Sequence, residues 1–431
     1  MKNYLLFAFT VVLYISAQAQ LYFPPNGTSE WETIAPENLN WCPDKIEDLY
    51  QFLDANDTKA FILLKDGKIV LEQYFDDFTA ESNWYWASAG KTLTATMVGI
   101  AQQEGFLDIT NPTSDYLGTG WTSCTPAQEE AITVWNQLTM TSGLDDGVAD
   151  PYCTEPSCLQ YLTAPGTRWA YHNGPYTLLD GVIENATGQT LNLYTQQKVK
   201  NITGMDGLYV PFEYNNVYWS TPRSMARFGL LMLSEGTWDG TPVLSDATYY
   251  NQMVNTSQDL NKSYGYLWWL NGKESFMLPS TQVVFPGSLI PNAPDDMFSG
   301  LGADGQFVNV IPSQNMVWIR MGEDPSGVPV PYLLNNDIWA YINDFECELS
   351  TTDVTSPSVT VYPNPVKDQL YLHNANTASI DYQLFTTLGQ LLQTGKLTNN
   401  TPISTQHLSK GLYLLVVRSE KGMQIIPFVK M

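Results

Sequence analysis

Histidine is scarce: three residues, His172, His373 and His407, serve a chain of 431. A Ser-His-Asp hydrolase needs one well-placed imidazole, and no serine sits in a Gly-x-Ser-x-Gly elbow, so that class is set aside. Catalytic zinc commonly draws two histidines and a third ligand, and no metal is expected from so thin a supply. Basic side chains are also few, 20 Lys and Arg against 44 Asp and Glu, for a net charge of −24. A chain this acidic repels phosphate backbones, which argues against nucleic acid as a partner. Beyond the N-terminus no long apolar run occurs, so no stable membrane span is expected. The one such run, Leu5 to Ile15, follows Lys2 and precedes Ala17-Gln18-Ala19, so residues 1–19 read as a secretory signal peptide.

Export permits disulfides, and five cysteines leave at least one thiol over. Cys42 opens the first helix of the main domain and Cys347 follows the last, so these two are expected to pair. Cys153 and Cys158 are close enough for a small loop, with Cys124 the spare.

What the chain does have is an unusual stretch at 84–100, where Trp84-Tyr-Trp-Ala gives way to Ser88 and then to an apolar run of helical spacing. Ser88 is placed to cap that helix. Lys91, three residues on, falls on the same face one turn later. A serine hydroxyl is a poor nucleophile without a neighbouring base, and a lysine in a dry pocket becomes one once desolvation lowers its pKa. The bland alternative is a cap followed by a surface lysine.

Two further elements raise the chemical reading. Tyr171-His172-Asn173 follows the loop Ala164-Pro-Gly-Thr-Arg-Trp-Ala. A tyrosine beside a lysine ammonium would be stabilised as phenolate and could carry the Ser88 proton. Asn173 would hold either the ammonium or a substrate carbonyl, and His172 is expected to be a hydrogen-bonding loop residue rather than a catalyst. Later, residues 300–310 contain Gly-x-Gly-x-x-Gly. A dinucleotide site needs a helix after those glycines, whereas an alternating strand follows, so no cofactor is expected. The glycines instead suggest backbone lying close to substrate, with Gly302 at the site and the N–H groups of Ala303 and Ser88 forming an oxyanion hole. Of the many aromatics, Tyr85 and Trp169 are expected near the site.

Read in order, the chain gives a helix near 44–56 and a hairpin at Lys59–Phe75. A largely helical middle runs from about 105 to 260. Strands return at Tyr264–Leu270, Gln306–Ile311 and Met316–Met321, and a helix closes at 332–346. That order fits an α+β domain: an antiparallel sheet with flanking helices and an inserted helical lobe. Residues 20–347 form this domain, 348–358 a Ser/Thr-rich linker, and 359–431 a small all-β sandwich tail. The tail differs in charge, holding six Lys and Arg against Asp368, Asp381 and Glu420.

Taken together, Ser88-x-x-Lys91, Tyr171-x-Asn173 and Gly300-Leu301-Gly302, in that order, resemble the serine β-lactamase/penicillin-binding-protein superfamily. Within it the pattern is similar to the class C-like esterases and amidases related to 6-aminohexanoate-dimer hydrolase. The resemblance implies Ser88 as acylated nucleophile, Lys91 and Tyr171 as proton-transfer pair, and Ala303 N–H as oxyanion donor, and it leaves open which of the pair is the base. Where many members carry Lys-Thr-Gly or His-x-Gly, this chain has Gly300-Leu301-Gly302. The cation that grips a substrate carboxylate is thus missing, and weak or no β-lactamase or D,D-peptidase activity is expected. The tail motifs Val361-Tyr-Pro-Asn-Pro and Gly411-Leu-Tyr resemble type IX secretion sorting domains, implying export by a Gram-negative cell and contact with that machinery. The expected function is a secreted serine hydrolase acting on a small-molecule ester or amide. The alternatives are an inactive surface binding protein on the same scaffold, or a D-amino-acid peptidase or β-lactam-processing enzyme.

Overall fold

Phe61-Ile-Leu-Leu and Ile69-Val-Leu flank Lys65-Asp66-Gly67-Lys68, and this pattern folds as the hairpin β1 (Thr58–Lys65) and β2 (Lys68–Tyr74). The computed structural model describes residues 21–324, 328, 330–347, 359–374, 380–397, 401–419 and 422–431. The expected signal peptide and linker lie outside the described residues. Two compact units emerge, one ending at Glu346 and the other beginning at Cys347.

In the first unit, α1 (Pro43–Ala55) precedes the hairpin and α2 (Lys91–Gln103) follows β3 (Trp84–Tyr85). The helical lobe includes α3 (Asn173–Thr177) and α4 (Leu179–Thr187). A hairpin of β4 (Leu208–Phe212) and β5 (Asn215–Ser220) then leads to α5 (Pro222–Leu233). Strands β6 (Trp269–Leu270), β7 (Phe298–Gly302), β8 (Gln306–Ile311) and β9 (Met316–Gly322) complete the sheet before α6 (Tyr332–Asn343). The sheet order is β2-β1-β9-β8-β7-β6, antiparallel throughout.

Buried strands need helices over their faces. Helix α5 lies tight on β8 and β9: a Cβ at Gly229 would stand 2.4 Å from Val317 Cγ1. Helix α2 is buried from Lys91 through Ala101, and each of Leu93, Met97 and Ile100 gains roughly 1.5–3 kcal/mol from burial. The nucleophile segment is therefore anchored to one of the most deeply held helices of the molecule.

Three expectations need correcting. The run Tyr264–Leu270 is a strand only at its last two residues. Leu267 takes a left-handed φ of 62°, and Tyr264 turns into an aromatic cluster with Trp169, Tyr171 and Trp269. The middle is not only helical, since β3, β5 and β4 make a separate three-stranded sheet. And Ser88 does not cap α2: it sits in a 3-10 turn, Ala87–Gly90, with Gly90 at the cap position.

Cys153 and Cys158 are bonded to each other and Cys124 is free. Cys42 and Cys347 are both disulfide-bonded. The chain on either side is drawn together as expected, since the Cys42 N–H donates to Phe345 O at 2.8 Å and Trp41 bridges Glu346. The second unit holds a three-stranded sheet, β10 (Val359–Tyr362), β11 (Gln369–Asn374) and β14 (Ile403–Ser404). Its partner is a four-stranded sheet, ordered β13 (Leu391–Leu397), β12 (Ile380–Thr386), β15 (Gly411–Ser419), β16 (Gly422–Lys430). Leu370 and Leu372 from one sheet and Leu384, Leu415, Val417 and Phe428 from the other share a core.

Candidate active site

Ser88 is held by its neighbours rather than by its own side chain. Trp86 is tied at both ends, its N–H to Tyr218 O and its indole N–H to Ser220 Oγ, each at 2.8 Å. Next comes Ala87 with φ +45°, a conformation that an L-residue adopts at a cost of about 1–3 kcal/mol. The strain turns the chain sharply so that Ser88 faces out of the turn while Ala89 and Gly90 are buried. Lys91 then reaches back, its Nζ 2.9 Å from Ser88 Oγ.

Lys91 is 4% exposed, and Ser88 Oγ is its one hydrogen-bond partner among the described residues. The rest of its surroundings is aromatic: Nζ lies 4.2 Å from the Tyr176 ring centre and 5.3 Å from that of Tyr171. Burial disfavours the ammonium and lowers its pKa to about 7, against a smaller opposing pull from the Asp180 carboxylate. Near neutrality Lys91 is thus available as a neutral amine.

Tyr171 stands at the same point, but not as the anticipated phenolate. Burial raises its pKa well above 10, and its hydrogen bond with Ser88 offsets only part of that. The cation invoked to stabilise a phenolate is itself discouraged by the dry site. Tyr171 therefore presents a neutral hydroxyl that donates or relays a proton. Its ring is fixed by stacking on Trp269, with centres 5.8 Å apart, and by Tyr264 edge-on.

The neighbours of Tyr171 also depart from expectation. The His172 ring is buried and, among the described residues, neither of its nitrogens has a hydrogen-bond partner; burial lowers its pKa to about 4. Asn173 does not hold Lys91; it is buried at the start of α3 with its amide oxygen unpartnered. Trp169 is 1% exposed and packs behind Tyr171 instead of lining the cleft.

The third wall is the end of β7. Gly302 makes room for the protein's own backbone, not for substrate as anticipated: a Cβ there would lie 2.6 Å from Trp86 O and 3.0 Å from Ala89 N. Ala303 follows and faces the same cleft as Ser88. It opens a tight turn in which Asp304 has φ 59° and Gly305 φ 76°. Tyr85 does not line the cleft either; its hydroxyl donates to Asp304 Oδ2 at 2.7 Å, bracing that turn. Sequence reasoning missed the second brace, Arg320. Its guanidinium donates to Thr58 Oγ1 and to the carbonyls of Asn56, Asp304, Gly305 and Glu323. A lone cation inside Val317-Trp-Ile-Arg-Met was the available signal.

Ser88, Tyr171, Asn173 and Ala303 open onto one cleft of about 550 Å³, a size suited to a small molecule. The segments 145–152 and 279–282 form its upper walls. Asp180 was also missed, an acid on the apolar face of Leu178-Leu-Asp-Gly-Val-Ile. It accepts from Asn216 Nδ2 at 3.0 Å, and burial raises its pKa to about 7. Among the described residues no His/Cys/Asp/Glu group is arranged to hold a metal ion.

An antiparallel sheet with a helical lobe, and a serine turn at their seam, is the architecture of the penicillin-binding-protein and β-lactamase superfamily. Residues 55–330 match the Beta-lactamase family, and this chain belongs to it, among the serine hydrolases built on that fold. Residues 360–430 match the secretion system C-terminal sorting domain, which implies secretion or display at the cell surface. A 6-aminohexanoate-dimer hydrolase of Paenarthrobacter ureafaciens is 22% identical over 276 residues, covering 55% of this chain and 70% of that protein. Two solved structures share the fold. A family VIII carboxylesterase has a TM-score of 0.52 at 17% identity, over 72% of this chain and 99% of that one. A penicillin-binding protein homologue from Caulobacter crescentus has a TM-score of 0.52 at 14% identity, over 70% and 98%. Among the described residues no helix is long and apolar enough to cross a membrane.

Proposed function

We propose that the protein cleaves an ester or amide of a small molecule through a Ser88 acyl-enzyme. Neutral Lys91 takes the Ser88 proton as Oγ attacks the substrate carbonyl carbon, and the N–H groups of Ser88 and Ala303 receive the developing oxyanion. When the tetrahedral intermediate collapses, the bond to the leaving alcohol or amine breaks. The proton held by Lys91 passes to that group through the Tyr171 hydroxyl. Water then attacks the acyl-enzyme and gives a proton to Lys91; as the bond from the acyl carbon to Ser88 Oγ breaks, Lys91 returns that proton to Oγ, and the carboxylic acid leaves with serine and neutral amine restored.

The observation that carries this reading is the 2.9 Å approach of Lys91 Nζ to Ser88 Oγ, in a site dry enough to bring the amine to about 7. It also favours Lys91 over Tyr171 as the base. The absence of a cation at Gly300-Leu301-Gly302 supports esters and simple amides over β-lactams and peptide carboxylates. Domain limits of 20–347 and 359–431, with type IX export from a Gram-negative cell, complete the proposal and rest on the sorting-domain match. A fluorophosphonate probe should label the wild-type protein and leave Ser88→Ala unlabelled. That variant should also lose hydrolysis of p-nitrophenyl acetate by at least about a thousandfold. Turnover that survives the substitution would refute the assignment, and an unreactive wild-type serine would point to a binding protein.

A further inference from the structure

In the proposed reaction Lys91 becomes a cation and then loses that charge again. The oxyanion at the substrate is met by backbone N–H groups. The ammonium that forms opposite it, in the same dry site, needs a partner as well. Asn173, the residue expected to hold it, is buried with its amide oxygen unpartnered. Asp180 acts on Lys91 only at a distance. Asn216 Nδ2 holds its Oδ2 at 3.0 Å, and among the described residues no salt bridge joins it to Lys91. What lies against Nζ is the ring of Tyr176, its centre 4.2 Å away, the shortest cation–π contact among the described residues.

That ring is fixed from both ends. Its backbone is anchored one residue earlier, where Pro175 O accepts from Gln137 Nε2 at 2.7 Å. Its hydroxyl lies 3.3 Å from Thr94 Oγ1, which in turn lies 3.3 Å from the Tyr209 hydroxyl. Thr94 follows Lys91 by three residues on α2, so the ring and the amine it covers are tied to one face of one helix. Burial raises the Tyr176 pKa well above 10 and keeps its hydroxyl protonated. The face turned to Lys91 is thus that of a neutral phenol. The other titratable groups around Nζ are Tyr171, from the loop before α3, and Asp180, from α4.

We propose that the face of Tyr176 receives the ammonium that Lys91 becomes when it takes the Ser88 proton, which makes Tyr176 a positioning residue of the reaction. The inference rests on reading Lys91 as the base and names what supports that base. An aromatic face attracts a cation through its quadrupole and does little for a neutral amine, so the support arrives as charge develops. At a desolvated site such a contact is worth about tenfold in an equilibrium constant. A carboxylate in contact would serve worse. It would favour the ammonium before reaction as well, and Lys91 would not stand neutral near pH 7. A ring face also accepts no strong hydrogen bond, which leaves the transferred proton free to pass through Tyr171.

Ring fluorination tests this, because it weakens the quadrupole at nearly constant shape. In the full-length protein, Tyr176→Phe is compared with the same variant bearing one, two and three ring fluorines at that phenylalanine. Across the series kcat for p-nitrophenyl acetate should fall stepwise, by about tenfold at three fluorines, with KM nearly constant. The rising limb of the pH profile should move to lower pH in the same order, because a less favoured ammonium loses its proton sooner. Tyr176→Leu, which removes the face, should fall at least about tenfold below Tyr176→Phe. The Lys91 pKa is also read without turnover, from the NMR shift of its ε-carbon, assigned by its loss in Lys91→Met. It should drop with each fluorine. Rates and a Lys91 pKa that do not change from Tyr176→Phe through the fluorinated proteins would overturn the inference. So would a rate loss in Tyr176→Leu with neither the limb nor the pKa moved, since altered packing alone does that. A protein that hydrolyses no ester but whose Lys91 pKa follows the fluorines would sink the hydrolase reading alone. An active enzyme indifferent to them would sink this inference alone.

Discussion

Two of the cations buried in the first unit, Arg320 and Lys91, are treated in opposite ways. Arg320, fully buried in β9, meets an acceptor for each of its nitrogens, four backbone carbonyls and a threonine hydroxyl. Burial lowers its pKa, but only to about 10, and it stays charged. Lys91 is nearly as buried and, among the described residues, meets a single oxygen, that of Ser88. Its pKa falls to about 7. A buried charge with a full set of acceptors becomes a structural clamp; one denied them gives up its proton and becomes a reagent. The two are connected, since Arg320 grips the turn at Asp304 and Gly305 that presents Ala303 to the cleft served by Lys91.

Exchanging each cation for methionine should expose the difference, and the largest effect is on activity. Lys91→Met should cut kcat/KM for p-nitrophenyl acetate by about 10²–10⁴-fold. Its stability at pH 7 should match or exceed that of the wild type. The folded pKa lies below the unfolded value of 10.5. Burying Lys91 therefore costs stability in full below pH about 7, and the cost fades as the pH rises toward 10.5. The same group sets the rate profile: wild-type kcat/KM should rise about tenfold per unit up to an apparent pKa near 7, then level. A limb found only above pH 10 would make Tyr171 the base and Lys91 its helper, the reverse of the proposed roles.

Arg320→Met should show the mirror image, a stability loss of about 3 kcal/mol or more as the acceptors lose their donor. All 13 tryptophans lie between Trp31 and Trp339, so the urea midpoint by tryptophan fluorescence reports on this unit alone. A variant as stable as the wild type would show that the clamp contributes nothing, and the contrast with Lys91 would fail.

How much of this was readable in the sequence follows from the range of each interaction. The Ser88–Lys91 pair is local, three residues apart, and the β1–β2 hairpin is local too, so pattern alone located both. The β3–β5–β4 sheet was not legible because Trp84 and Tyr85 pair with Ser220 and Trp219, more than 130 residues away. The protonation of Tyr171 was misjudged for a related reason. Residue types suggested a helpful ammonium, but burial by Trp269, Tyr264 and the lobe is assembled only in three dimensions and removes that charge. Gly302 was recognised as a point of close approach, while the atoms approaching it, Trp86 O and Ala89 N, were not.

Tyr85 offers the smallest and most discriminating test of the clamp. Its hydroxyl donates to the Asp304 side chain from one side while Arg320 holds the Asp304 carbonyl from the other. If the turn after Gly302 needs both to aim the Ala303 N–H, Tyr85→Phe should lower kcat by roughly three- to tenfold, with stability reduced by no more than about 1.5 kcal/mol. KM for p-nitrophenyl acetate should hardly move, because an oxyanion donor acts on the transition state more than on the bound ester. A variant whose KM rises while kcat holds would place Tyr85 at the substrate instead, and the turn would then owe its shape to Arg320 alone.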